Sequence, residues 1–248
     1  MNAEPPRRVT ERLRILGAAA LAAALLTGGL VAAISHVASA TAASWALVPG
    51  PAVDEPLANT SGSETAIFSG GCFWGMQAVF QHVKGVREVL SGYIGGTART
   101  AHYEVVSTGM TGHAESIKIV YDAHEITYGT LLRIYFSVAT DPTELDFQGP
   151  DEGSQYRGEI WAVSGAQKRV AGAYLRQLTA DHAFPKAIVT RIDDAMPFYR
   201  AEDYHQNFAT LHPHDPYIAM FDAPKVTALA RSFPTLYVDR PVLVASVH

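Results

Sequence analysis

The residue best suited to covalent chemistry is Cys72, the only cysteine among the 248 residues. It follows Gly70 and Gly71, behind a short apolar segment at 65–69 that is predicted to be a strand, and it begins an apolar stripe of helical spacing. The unpaired N–H groups and the positive dipole end of a helix start favour the thiolate, the nucleophilic form of cysteine. From its position alone, a reactive thiol and a buried, inert thiol are equally open.

Histidines offer two alternative chemistries. His113 and His205 suggest a Cys–His hydrolase, and His212 with His214 suggests a metal site. However, nothing resembling a hydrolase motif surrounds Cys72. Two histidines without a cysteine also fall short of the three or four protein ligands of a zinc site. We therefore expect neither a metal ion nor a bound cofactor.

The apolar pattern predicts the elements that position these residues. Strands are predicted at 65–69, 86–93, 115–121, 159–163 and 188–192, and helices at 72–83, 127–138, 165–179 and 224–233. Strands and helices do not form an unbroken βαβ series. We therefore predict a single α+β domain, a two-layer sandwich with a mixed or antiparallel sheet, flanking helices and a ferredoxin-like core. The long polar loop at 141–156 is of a length that often carries function.

Composition excludes several classes of protein. Hydrophobic residues make up 48% of the chain and aromatic residues 10%, which excludes a disordered protein. A net charge of −5 argues against nucleic-acid binding, which normally needs a basic face. A single cysteine excludes an intrachain disulfide and any multi-cysteine zinc or iron–sulfur site.

The first 40 residues are typical of a targeting segment. Four arginines precede a stretch from Ile15 to Val53 that contains no Asp, Glu, Lys or Arg. The small residues at 38–40 fit a signal-peptide cleavage site, but the apolar run is also long enough for a membrane anchor. A buried alanine-rich helix is the third interpretation. The first two place the domain in the periplasm or at the outer face of the inner membrane.

These patterns divide the chain into four parts. We predict a signal peptide or anchor at 1–40, a flexible linker at 41–63, a catalytic domain at 64–235 and a C-terminal tail at 236–248. Membrane contact is expected only through the N-terminal segment.

A series of short motifs runs along the domain. They are GCFWG at 71–75, SGYIGG at 91–96, YEV at 103–105, TGHAE at 111–115, DP at 141–142, GPDEGSQYR at 149–157, PFY at 197–199 and AEDYHQ at 201–206. In this order the motifs resemble the peptide methionine sulfoxide reductase A family. The resemblance covers roughly residues 65–233.

The resemblance implies thiol-dependent reduction of free and peptide-bound methionine S-sulfoxide, which would repair oxidised exported proteins. In this family a cysteine thiolate attacks the sulfoxide sulfur, the oxygen receives a proton, and methionine and a cysteine sulfenic acid result. Cys72 matches the family's nucleophile and Glu115 its acid. A carboxyl group can act as an acid near neutral pH only if its site raises its pKa.

Further site residues are also implied by the family. Tyr103 and Tyr156 match the tyrosines that hydrogen-bond the sulfoxide oxygen. Asp151 matches an acidic residue that orients the site. Phe73 and Trp74 match the apolar pocket for the S-methyl group.

The chain departs from many family members at its C-terminal end. Those members carry one or two cysteines there that resolve the sulfenic acid as a disulfide, but 207–233 contains none. An external reductant is therefore expected, either a thioredoxin- or glutaredoxin-like protein or a small thiol. We also expect the enzyme to be a monomer. The alternative is an inactive module that binds methionine or methionine-sulfoxide segments, and the intact set of polar site residues favours the enzyme.

Overall fold

One mixed sheet dominates the part of the chain that the computed structural model describes, residues 47–245. Its strands are β1 Ser63–Ser69, β2 Val86–Ile94, β3 Ala114–Asp122, β6 Glu159–Ala162, β7 Arg191–Asp194 and β8 Tyr199–Arg200, while β4 Phe147–Gln148 and β5 Asp151–Glu152 form a separate hairpin. The spatial order is β7-β6-β1-β3-β2-β8. Only β6 and β7 pair in parallel, and the other neighbours are antiparallel.

Helices lie between these strands and after the last one. They are α1 Phe73–Gln81, α2 Tyr103–Val106, α3 Tyr128–Ile134, α4 Gly165–Ala180, α5 Phe208–Leu211 and α6 Ala223–Ser232. The predicted α+β class with a mixed sheet is confirmed. Thr127 caps α3, as its hydroxyl accepts a hydrogen bond from the Thr130 N–H at 3.1 Å. The helix predicted at 127–138 is shorter than expected, because its second half is a π-helical turn, Tyr135–Ala139.

Strand alternation decides which residues face the main core. In β3, Glu115 lies on the same side as Ile117, Ile119 and Tyr121, which pack in the large hydrophobic cluster with α1. Ser116 points the other way, where its hydroxyl lies 2.6 Å from that of Ser69 on β1. The side of β3 that carries the apolar residues therefore also carries the carboxyl group of Glu115 into the protein.

Two predicted elements differ from the structure. The strand predicted at 188–192 starts later, at Arg191, since the Val189 N–H donates instead to Pro142 O at 2.8 Å. The predicted loop at 141–156 contains the β4–β5 hairpin and ends in a 3₁₀ turn, Ser154–Tyr156.

The described part of the predicted linker, residues 47–62, lies along the domain. Val48 is 2% exposed, its N–H donates to the Ser137 hydroxyl at 3.2 Å, and its carbonyl accepts from Arg133 Nε at 2.9 Å. The Tyr174 hydroxyl donates to Pro49 O at 2.6 Å. The prediction of a flexible tether is therefore wrong for this part, because side chains of the helical segments bind its backbone.

The targeting segment predicted at 1–40 lies outside the described residues. Within residues 47–245, no helix combines the length and the apolar character needed to cross a membrane.

Candidate active site

Cys72 sits at the junction between β1 and α1. It occupies the N-cap position of α1, so the helix begins at Phe73, one residue later than predicted. Cys72 is 8% exposed. Gly71 has a φ of 93°, and a Cβ atom there would lie 2.7 Å from the Gln148 side chain. The Gly71 N–H donates to Tyr156 O at 3.2 Å. The glycine turn therefore brings the 141–156 segment directly against the cysteine.

Glu115 lies beside the same helix start. Residue 115 is 2% exposed, and its Oε2 accepts a hydrogen bond from the Phe73 N–H at 3.1 Å. The register that pairs Ser69 with Ser116 places the ends of β1 and β3 side by side, which explains this approach. Burial raises the pKa of Glu115 to about 8, although the Phe73 hydrogen bond opposes the shift. Glu115 is therefore protonated at neutral pH and can donate a proton.

Tyr103 and Tyr156 complete the polar side of the site. Tyr103 begins α2, where its N–H donates to Glu202 Oε1 at 3.1 Å, and Tyr156 ends the 3₁₀ turn after β5. Burial raises the pKa of both phenols, with Glu115 and Cys72 adding to the shift. Both are therefore protonated hydrogen-bond donors. Within residues 47–245, neither hydroxyl forms a hydrogen bond, so both are free to bind a ligand oxygen.

Phe73 and Trp74 form aromatic walls around His205. Phe73 is 1% exposed, and its ring centroid lies 5.0 Å from that of His205. Trp74 is half-buried, stacks on Phe208 with centroids 3.9 Å apart, and donates from Nε1 to His205 Nδ1 at 3.1 Å. Tyr103 packs on the same imidazole at 4.6 Å. These contacts form an aromatic cluster in which Trp74 is more exposed than Phe73.

Asp151 connects the loop hairpin to the C-terminal segment. Its carboxylate accepts a hydrogen bond from the Tyr217 hydroxyl, and the Tyr217 ring meets Trp74 edge-on. Burial raises the pKa of Asp151, and the bond from Tyr217 opposes this shift. Asp151 thus orients Tyr217 next to the aromatic wall.

The electrostatics at Cys72 differ from the expectation based on the helix start. Burial raises the pKa of the Cys72 thiol well above its ordinary value, and the carboxyl groups of Glu115, Asp222 and Asp151 raise it further. The Trp74 N–H at the helix start lowers the pKa, as the sequence predicted, but it does not compensate for burial. The helix start therefore acts on the thiol in the predicted direction, but burial outweighs its effect.

The two histidines considered for a Cys–His pair are engaged elsewhere. His113 Nδ1 accepts from the Gly96 N–H at 3.2 Å, and its Nε2 lies 3.1 Å from Thr97 O. His205 is bonded to Trp74. Neither imidazole hydrogen-bonds Cys72 among the described residues, so the geometry does not support a hydrolase dyad.

The structure brings all seven predicted site residues to one region, and it adds residues that the sequence analysis missed. Tyr217 and Asp222 lie in the C-terminal segment, which packs on α1. Buried amides hold that segment: the Asn207 N–H donates to Gln77 Oε1 at 2.8 Å, and Gln81 Nε2 donates to Asn207 Oδ1 at 2.7 Å. No local pattern identifies Tyr217 or Asp222, because their roles arise only from this packing.

Comparison with known proteins gives consistent matches. The family model for peptide methionine sulfoxide reductase matches residues 64–235. The chain is 57% identical to peptide methionine sulfoxide reductase MsrA 2 of Mesorhizobium japonicum over 185 residues, which are 75% of this chain and 95% of that protein. It is 49% identical to MsrA 2 of Synechocystis over 196 residues, which are 78% of this chain and 90% of that protein.

A solved structure shows the same fold. Methionine sulfoxide reductase A of Corynebacterium diphtheriae aligns with a TM-score of 0.54 and 29% sequence identity. The alignment covers 68% of this chain and 89% of that chain.

Proposed function

This chain belongs to the peptide methionine sulfoxide reductase family, and we propose that it reduces methionine sulfoxide with Cys72 as nucleophile and Glu115 as general acid. The reduction of methionine sulfoxide follows from family membership and makes the chain an oxidoreductase. The observation that carries the residue assignment is the buried Glu115 carboxyl bonded to the N–H of Phe73, the residue next to Cys72. This arrangement places a proton donor and a sulfur nucleophile at one helix start.

The sulfoxide binds with its oxygen toward the polar side of the site. The hydroxyls of Tyr103 and Tyr156 donate hydrogen bonds to that oxygen, and the S-methyl group lies against Phe73 and Trp74. Sulfur and methyl groups pack well on aromatic rings, which supports this orientation. Asp151 acts as a positioning residue through Tyr217.

The reaction then proceeds at Cys72. The thiol loses its proton, the thiolate attacks the sulfoxide sulfur, and the sulfoxide oxygen takes the proton of Glu115. Attack joins the Cys72 sulfur to the substrate sulfur, and the protonated oxygen leaves as the S–O bond breaks. A water or hydroxide oxygen then attacks the Cys72 sulfur and releases its proton, the S–S bond breaks with its electron pair going to the substrate sulfur, and the products are methionine and a Cys72 sulfenic acid. Glu115 regains a proton from solvent, so protons balance over the step, and the substrate sulfur is reduced while the cysteine sulfur is oxidised.

Recycling requires an external thiol, because the sequence contains no second cysteine. A thiol attacks the sulfenic acid, water leaves, and a mixed disulfide forms at Cys72. A second thiol releases the Cys72 thiol. A thioredoxin- or glutaredoxin-like protein or a small thiol can supply both thiol groups. The enzyme acts as a monomer.

Turnover of separated sulfoxide epimers tests the substrate assignment. With dithiothreitol as reductant, we expect methionine only from the S epimer of a peptide-bound or free sulfoxide. Cys72→Ser is the matched control and should give none. Equal turnover of both epimers would contradict the proposed binding mode.

The proposed location is the periplasm or the outer face of the inner membrane. The support is the apolar, uncharged run at the N-terminus behind four arginines. Residues 1–60 fused to a reporter that is active only outside the cytoplasm should give activity. Activity of a cytoplasm-only reporter in the same fusion would overturn this proposal.

A further inference from the structure

A buried carboxylate that the reaction does not use lies against the helix of the nucleophile. Asp222 is 1% exposed and ends the π-helical turn Ile218–Asp222, directly before α6. Its side chain packs on Gly75, one helical turn after Cys72, so closely that a Cβ atom at position 75 would overlap the carboxylate. The glycine of the GCFWG motif therefore leaves room for Asp222.

This carboxylate has almost no partners. Lys225 Nζ lies 3.4 Å from Asp222 Oδ1, and the Lys225 side chain is itself only 13% exposed. Neither carboxylate oxygen accepts a hydrogen bond from any described residue, and Asp222 does not cap α6. A buried carboxylate without hydrogen-bond donors destabilises the fold, so an amide or a small polar side chain would be the more stable choice at this place.

We propose that Asp222, packed on the helix that Cys72 begins, is a positioning residue that disfavours the thiolate form of Cys72. The proposal rests on the proposed role of Cys72 as nucleophile. A negative charge one helical turn from a thiol disfavours the thiolate. Burial raises the pKa of Cys72 and Asp222 adds to that rise, in agreement with the geometry.

Titratable groups from several elements surround Cys72. They are Glu115 from β3, Asp151 from β5, Tyr103 from α2, Tyr156 from the 3₁₀ turn, and Tyr217, Asp222 and Lys225 from the C-terminal segment. Glu115 is protonated at neutral pH, because its pKa is about 8. Burial raises the pKa of Asp222 and Lys225 opposes that shift, while the Asp222 side chain packs on Gly75 in the helix that Cys72 begins.

This arrangement protects Cys72 from oxidation by hydrogen peroxide. Hydrogen peroxide oxidises a thiolate when the sulfur attacks a peroxide oxygen, the O–O bond breaks and hydroxide leaves, which gives a sulfenic acid. A further round gives a sulfinic acid, which ordinary thiols do not reduce. Since the chain has no second cysteine to trap the sulfenic acid, keeping Cys72 protonated limits this loss.

Alkylation of the full chain tests the proposal without any sulfoxide, so its outcome is independent of the reductase activity. Iodoacetamide reports on Cys72 alone, because no other cysteine exists. Its rate should be measured from pH 6 to pH 10 for the wild type, Asp222→Asn and Asp222→Ser. Asp194→Asn is the matched control, since Asp194 forms an exposed ion pair with Lys168 on α4 at 2.8 Å.

Removal of the charge should lower the midpoint of the rate profile in both Asp222 variants and accelerate alkylation at pH 7 by about 3- to 10-fold. Inactivation by hydrogen peroxide should accelerate by the same factor, while Asp194→Asn should match the wild type. An unchanged midpoint in either folded Asp222 variant would overturn the proposal. Loss of the fold in both variants would overturn it too, as Asp222 would then be a structural residue.

Discussion

Replacing Glu115 by glutamine should change the stability of the protein in a pH-dependent way as well as its activity. The variant keeps an oxygen that accepts the Phe73 hydrogen bond, but it has no titratable proton. Burial raises the pKa of Glu115 from 4.5 to about 8. A folded-state pKa above the unfolded value stabilises the fold fully below pH 4.5, and that stabilisation is lost as pH rises through about 8.

The magnitude follows from this shift. Between pH 5 and pH 8, the stability of the wild type should fall relative to Glu115→Gln by about 1.4 kcal/mol per pH unit, or about 4 kcal/mol in total. Above pH 8 the difference should level off, since the carboxyl is then ionised in both states. The stability of the wild type relative to the variant should therefore be about 4 kcal/mol lower at pH 9 than at pH 5.

Urea unfolding of the full chain at half-unit steps from pH 5 to pH 9 measures this difference. Glu125→Gln, at an exposed position after β3, is the matched control and should track the wild type. The same variants should be assayed for activity, where Glu115→Gln should lose about 10²- to 10⁴-fold in kcat/KM. A stability difference that stays constant across the pH range would refute the raised pKa and, with it, the role of Glu115 as acid at neutral pH.

Three further predictions concern other residues of the site and of the helix that Cys72 begins. Cys72→Ser should abolish reduction while the circular dichroism spectrum and Tm stay unchanged, and measurable turnover would contradict the assignment of the nucleophile. Tyr103→Phe and Tyr156→Phe should each lower kcat/KM for methionine S-sulfoxide about tenfold, because each removes one donor to the oxygen, and unchanged values would place the oxygen elsewhere. Gly75→Ala should destabilise the protein by about 1–3 kcal/mol in urea, as the methyl group displaces the Asp222 carboxylate, and a neutral effect would show that the C-terminal segment is not packed as described.

The sequence predicts the order of the main elements because the apolar pattern has a clear period. Strand β3 shows this best: its alternation puts Ile117, Ile119 and Tyr121 on one side, and the structure confirms this. In the structure Glu115 lies on this same side and is buried, which raises the pKa of its carboxyl group. The motif resemblance identified the family, and the family model and relatives confirm it.

Other features depend on tertiary contacts that a local pattern does not contain. The helix start at Cys72 suggested a thiolate, but burial and three carboxyl groups from distant segments outweigh that local effect. Residues 47–62 have the composition of a tether, yet Arg133 and Tyr174 bind their backbone. Asp222 has no sequence signature, because its meaning comes from its contact with Gly75 across the fold.

The central claim is that one methionine sulfoxide oxidises Cys72 to a sulfenic acid, which no other cysteine of the chain can reduce. A single-turnover measurement tests it most directly: the fully reduced chain is mixed with excess methionine S-sulfoxide in rigorously thiol-free buffer, and methionine and free thiol are counted. We predict about one methionine per chain, loss of the titratable thiol, capture of Cys72 by a sulfenic-acid trap and an uncrosslinked chain on a non-reducing gel. Two or more methionines per chain without added thiol would contradict the account, because the reducing equivalents would then come from a source other than Cys72.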